Sequence, residues 1–228
     1  GVTKVVKLSQ YFDGIAGTRG DTDIYVLDSG KPGASALVLG GTHGNEPSGF
    51  MAAIVLIENA MPTSGKLYVI PFANASTLTH TDYMEGTPRH FTVETAGGPR
   101  RFRYGSRATS PADQWPDPDI YVHASSGQKL SGSETRNLNR AYPGRPDGTF
   151  TEKVAYAITS LIRAEKIDIT VDLREGGEWV FDMIGPDGTV FPNHHRYHDM
   201  QPQSRFAYSL HWGENGPKHA DAWARFEE

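Results

Sequence analysis

The chain has 228 residues, a net charge of −5 at pH 7 and no cysteine. Disulfides and thiolate metal sites are therefore excluded, and any metal must be held by nitrogen and oxygen. The acidic balance argues against nucleic-acid binding, and no apolar run approaches the roughly 18 residues of a membrane span. This length fits one α/β domain, 1–228, with an irregular insertion or lid at 74–135 and a divergent C-terminal part at 176–228. No apolar run of signal length follows Gly1, so a cytoplasmic location is expected, with a leader removed earlier also compatible. The oligomeric state stays open.

Lys4 to Ser9 alternates and Asp23 to Leu27 is β-branched and aromatic, so both are predicted strands, with a loop at Gly14 to Gly20 between them. Ser35 to Leu39 is apolar without interruption, which suits a central strand of a parallel or mixed sheet. It ends in Gly40-Gly41-Thr42-His43-Gly44-Asn45-Glu46-Pro47. A helix is predicted from Glu46 with proline near its first turn, and Phe50 to Ala60 is apolar nearly all round, so burial is expected. Leu67 to Ile70 is the next strand. Strand, helix, strand in this order gives a right-handed crossover and an α/β fold, mixed and mostly parallel, with helices on both faces.

Residues 74–135 are rich in Gly, Pro, Ser, Thr and Arg with little periodicity, and Arg100 to Arg107 reads as a solvated loop. A stretch this long is an ordered insertion or a lid over the strand ends. Helical spacing returns at Glu152 to Glu165, where Val154, Ile158, Leu161 and Ile162 share a face. Ile167 to Leu173 is another central strand, ending in Asp172-Leu173-Arg174-Glu175. Beyond it, Trp179 to Ile184 and Thr189 to Phe191 flank Gly185-Pro186-Asp187-Gly188, a hairpin signature.

His43 and Glu46 lie in a turn entering a helix, at the carboxyl end of a central strand, where open α/β sheets bind ligands. An imidazole and a carboxylate at this spacing can converge on one zinc ion; the plain alternative is a polar helix start with Glu46 at the dipole. Asn139-Arg140-Ala141-Tyr142-Pro143-Gly144 offers a guanidinium fork for a substrate carboxylate, with Asn139 and Tyr142 beside it. Arg136, just upstream, can polarise a carbonyl or hold the same anion.

Taken in order, Gly-Gly-Thr-His-Gly-Asn-Glu, Asn-Leu-Asn-Arg-Ala-Tyr-Pro-Gly and an Asp-Leu strand end resemble the zinc carboxypeptidase superfamily. Within it the likeness is to the succinylglutamate desuccinylase/aspartoacylase branch, over roughly residues 30–175. The resemblance implies a mixed eight-stranded-type sheet, Zn2+ held by His43 and Glu46, and a substrate carboxylate gripped by Asn139 and Arg140. It implies a metal-dependent amidohydrolase acting on an N-acyl amino acid or a related small carboxylate. A carboxypeptidase acting on peptide C-termini is the close alternative.

One position departs from the family. Its third zinc ligand is a histidine, and here that residue is Arg174, which stays protonated and gives no lone pair. His194, His195 and His198 are substitute ligands to consider. Glu175 is the candidate general base, with Glu178 and Glu214 as others. The departure motivates a reading from another class, a binding protein on the same fold with catalysis lost.

Overall fold

Alternation of apolar side chains in short β-branched runs makes each strand of the main sheet two-sided. In the computed structural model, which describes residues 1–82, 89–174, 183–184 and 190–191, those strands are β1 (Lys4–Lys7), β2 (Asp23–Asp28), β3 (Ser35–Leu39), β4 (Lys66–Ile70) and β9 (Ile169–Asp172). Their order in the sheet is β1-β2-β4-β3-β9. β4 and β9 flank β3 in parallel, whereas β1 on β2 and β2 on β4 are antiparallel. The sheet is therefore mixed but not mostly parallel. The reason lies in the connections: β1 and β2 are joined without a crossover helix, so their pairing can be antiparallel.

The β3–α1–β4 unit is the predicted crossover, with α1 at Pro47–Asn59, Glu46 as its N-cap residue and proline at the start. Only Gly49, Phe50 and Ala53 of α1 are buried, and Val55 is 53% exposed, so this helix is half-buried although apolar nearly all round. Helix α2 (Phe150–Ala164) carries a capping box in which Thr149 accepts from the Glu152 N–H and the Glu152 carboxylate accepts from the Thr149 N–H. Such a cap contributes about 1 kcal/mol.

Because successive strand residues face opposite ways, the two helices cover opposite faces. Leu37, Leu39, Tyr68 and Ile70 pack with Val154, Ile158, Leu161 and Ile162 of α2. Val38, Val69 and Leu27 pack with Ala53, Leu56 and Ile57 of α1. Ile158 has no exposed surface, and its change to Ala should cost about 2–5 kcal/mol through lost transfer energy and an unfilled cavity. Among the described residues no helix is long and apolar enough to cross a membrane.

The insertion is more regular than its sequence suggests. It contains the antiparallel hairpins β5 (His90–Thr95) with β6 (Gly98–Arg103) and β7 (Ile120–Val122) with β8 (Lys129–Ser131). Arg100 to Arg103 is thus strand and not loop: Phe102 stacks on Phe91 across the hairpin, and the alternate arginines face outward. The hairpin signature near the C-terminus matches the pairing of β10 (Met183–Ile184) with β11 (Val190–Phe191).

Candidate functional site

Parallel pairing of β4, β3 and β9 brings their carboxyl ends to one edge of the sheet, with Leu39 level with both Ile70 and Asp172. The chain after β3 turns sharply there. Gly41 adopts φ +62, and a Cβ on it would stand 2.9 Å from Pro71 O, so the turn needs glycine. Thr42 donates to Asp172 Oδ1 at 2.8 Å, fastening the turn to β9. The insertion closes on the same loop: Gly44 N–H donates to Ser106 O, and Gly105 N–H donates to Gly44 O, both at 2.8 Å.

His43 is fully buried at the centre of this edge. Its Nδ1 lies 2.8 Å from Glu46 Oε1, and its Nε2 lies 2.8 Å from Asn137 Oδ1. The Asn137 amide nitrogen donates to Glu134 Oε2 at 2.8 Å. With that amide so oriented, its oxygen faces Nε2 as an acceptor, as Glu46 Oε1 faces Nδ1, and the one N–H of the neutral ring serves one of the two. Burial, reinforced by the Arg174 charge, lowers the His43 pKa to about 4 against the pull of Glu46. Burial pushes the Glu46 carboxyl the other way, but the hydrogen bond and charge of its His43 and Arg174 contacts outweigh it and hold the pKa down at about 2.

Arg174 completes the cluster, and it too is buried, at 6% exposure. Its Nε donates to Glu46 Oε2 at 2.8 Å and its Nη1 to Asp172 Oδ2 at 3.1 Å. Its Nη2 lies 2.9 Å from His43 Nδ1 and 3.3 Å from Nε2. The Arg174 side chain therefore touches both residues predicted as zinc ligands. Among the described residues no group of three or more His, Asp or Glu side chains is placed to hold a metal ion. A donor pair sharing its space with a guanidinium does not fit a zinc centre, which takes several lone pairs and no competing cation.

Asn139 and Arg140 sit in the next motif, tied to the first by Asn137. Arg140 Nε is 3.2 Å from Glu134 Oε2, the carboxylate that also receives Asn137. Asn139 is 2% exposed, and neither its amide nitrogen nor its amide oxygen has a hydrogen-bond partner. Buried amides are normally paired, so the Asn139 side chain, next in sequence to Arg140, is an exception.

The other predicted residues divide. Arg136 is committed elsewhere: its Nε and Nη2 grip Asp117 at 2.7 and 2.9 Å, and Nη1 donates to Thr109 O at 2.9 Å. Tyr142 is 2% exposed and packs within the larger core cluster. Glu175, Glu178, His194, His195, His198 and Glu214 lie outside the described residues. Sequence reading gave no role to Asn137, Glu134, Asp172 or Thr42. Thr42, Asn137 and Asp172 were visible inside the quoted motifs, whereas Glu134 carried no signal of its own.

The chain is 28% identical over 175 residues to the N-alpha-acetyl-L-2,4-diaminobutyric acid deacetylase of Halomonas elongata, covering 76% of this chain and 36% of that protein. Among solved structures it is similar to a succinylglutamate desuccinylase/aspartoacylase from Rhodobacter sphaeroides, at 21% identity and TM-score 0.42, covering 69% of this chain and 34% of the other. It is also similar to a succinylglutamate desuccinylase from a Silicibacter species, at 24% identity and TM-score 0.42, with the same coverage of 69% and 34%. The chain thus spans about a third of the length of these relatives. Residues 161–228 match a different family model, that of the Activator of Hsp90 ATPase homolog 1-like protein.

Proposed function

We propose that this chain, which resembles the succinylglutamate desuccinylase/aspartoacylase family, handles small N-acyl amino acids on the scaffold of an amide hydrolase. The observation that carries this reading is the buried, unpartnered amide of Asn139 beside Arg140, linked through Glu134 and Asn137 to His43. A guanidinium and an amide N–H are complementary to a carboxylate and give it direction. The Halomonas relative, whose name is that of an N-acetyl amino acid deacetylase, supports the substrate class.

Hydrolysis of the acyl amide is the proposed reaction; the Zn2+ that the resemblance implies for it does not fit the donors described, because Arg174 occupies the space beside them. His43 Nδ1 and Glu46 are the donors this chain offers, and the described residues add no third. No step of the reaction is assigned to the metal on that basis. What this chain's own residues do is hold and orient the substrate: Arg140 and Asn139 fix the carboxylate, and the insertion segment Gly105–Ser106 covers the His43 loop. A peptide C-terminus has the same free carboxylate, so a carboxypeptidase reaction is the neighbouring alternative.

Calorimetric titration with N-acetyl and N-succinyl amino acids, their methyl esters and short peptides tests this. The free acids should bind, the esters should not, and Arg140→Ala should weaken binding by about tenfold or more, the scale of a charge-assisted hydrogen bond. Equal binding of acids and esters would refute the carboxylate site. The same panel assayed for hydrolysis with and without added zinc separates two readings. Product release supports the hydrolase, whereas binding without product supports the second reading, a binding protein with catalysis lost, which the position of Arg174 favours.

A further inference from the structure

We propose that Arg174 is the resident cation of this site: its guanidinium takes the place a metal ion would hold and competes with zinc for His43 and Glu46. The proposal deepens the reading above, but it rests on the side-chain geometry alone. Three features carry it. The guanidinium contacts both donor groups, with Nε 2.8 Å from Glu46 Oε2 and Nη2 2.9 Å from His43 Nδ1. Its remaining arm reaches Asp172 Oδ2 at 3.1 Å, so a cation stands among two carboxylates and an imidazole, as a metal would. The setting is closed as well, with His43 at 0%, Asp172 at 2% and Arg174 at 6% exposure.

Charge and space both make the two occupants exclusive. A guanidinium satisfies buried carboxylates with directed N–H bonds and needs no other counter-ion. A zinc ion approaching Glu46 and His43 Nδ1 meets a fixed positive charge within hydrogen-bonding distance of the same atoms. It also finds Arg174 Nη2 already 2.9 Å from His43 Nδ1. Arg174 follows β9 after one residue, Leu173, and Gly49 of α1 lies close against that residue, since a Cβ there would be 2.3 Å from Leu173 O. The backbone that aims Arg174 is therefore pinned by the helix. The side chain occupies the site because the strand end delivers it there.

Equilibrium dialysis of the full chain against zinc chloride, with zinc counted per chain, tests the proposal. Wild type should hold no stoichiometric zinc at micromolar metal, whereas Arg174→His should bind one ion. Its affinity should rise by at least about a thousandfold, the scale of removing one unit of like charge about 4 Å away at an effective dielectric near 20. The gain should vanish in the double variant Arg174→His with His43→Ala. Arg174→Lys, which keeps the charge, should behave as wild type. Stoichiometric zinc on the wild type that is lost in His43→Ala overturns the proposal, and so does a folded Arg174→His with no gain. If Arg174→His does not fold, thermal melts of the wild type decide: zinc-dependent stabilisation that needs His43 overturns the proposal, and melts indifferent to zinc support it. Failure of the N-acyl amino acid titration leaves these zinc readouts unaffected, so the two readings fail separately.

Discussion

Two arginines are buried among the described residues, and they use the same chemistry for different ends. Arg136 is 9% exposed and Arg174 is 6% exposed, and each ends on carboxylates. Arg136 makes a two-point grip on Asp117 and a bond to the Thr109 carbonyl, all within the insertion and its exit. It holds a segment rich in turns in one conformation, which helical or strand ladders cannot do there. Arg174 reaches groups far away in sequence, Glu46 and His43, at the edge where three parallel strands end. A buried guanidinium is thus a structural clamp where its partners are ordinary carboxylates, and a substitute ion where its partners are an imidazole and a carboxylate suited to metal.

Removing each arginine separates the cases most sharply. Arg174→Met removes the guanidinium from Glu46 and Asp172, and Arg136→Met removes it from Asp117; each should cost about 3–5 kcal/mol in chemical denaturation. Zinc at saturating concentration should restore part of the loss in Arg174→Met and none in Arg136→Met. Equal zinc response in the two variants would erase the distinction drawn here.

A pH titration of stability comes next in size. His43, with a pKa held at about 4 instead of 6.5, stays neutral when folded and takes up a proton on unfolding. The unfolded chain therefore binds more protons between these values, and stability falls as pH drops from 6.5 toward 4, by on the order of 3 kcal/mol. Glu46, with its pKa lowered from 4.5 to about 2, adds a further loss as pH falls below 4.5. His43→Gln should flatten the profile between pH 6.5 and 4, whereas Arg136→Met should leave its shape unchanged.

Gly49→Ala asks whether the strand end that aims Arg174 is held by packing. A Cβ at 2.3 Å from Leu173 O forces α1 and the end of β9 apart, at about 1–3 kcal/mol. If calorimetry finds this change silent, the helix does not pin the arginine. The smallest effect is expected at Arg100, whose paired bonds to Glu58 at 2.9 and 2.7 Å lie on the exposed hairpin surface. Arg100→Ala should leave the melting temperature within the error of a scan, because exposed ion pairs are screened.

The legible part of the fold was the part with periodicity. Ser35–Leu39, the α1 segment and Val154 to Ile162 announce themselves by apolar spacing, and the structure has β3, α1 and α2 there. Sequence reading missed β5 to β8 because these are short, half-exposed strands whose alternate positions hold arginine, threonine and glutamate. It also took the sheet to be mostly parallel, since the β1–β2 pairing depends on a partner strand that no local pattern names. Residues 161–228 match another family's model, a span that includes Arg174 itself. A family's third histidine is not to be sought by spacing in a segment with other relatives.

By itself, the sequence determined which residue types are available: a His-Glu pair after a central strand, an Asn-Arg pair downstream, no thiolate, and arginine where a histidine was expected. Local chemistry and chain order suffice for that. Only the tertiary structure decided what Arg174 does, because its partners stand 128 and 131 positions away along the chain. Parallel pairing of β3 with β9 brings those positions together, and burial then requires each charge there to find an opposite one. The same edge decided that Asn139 is buried with its amide unpaired, while Arg136 is drawn off to Asp117.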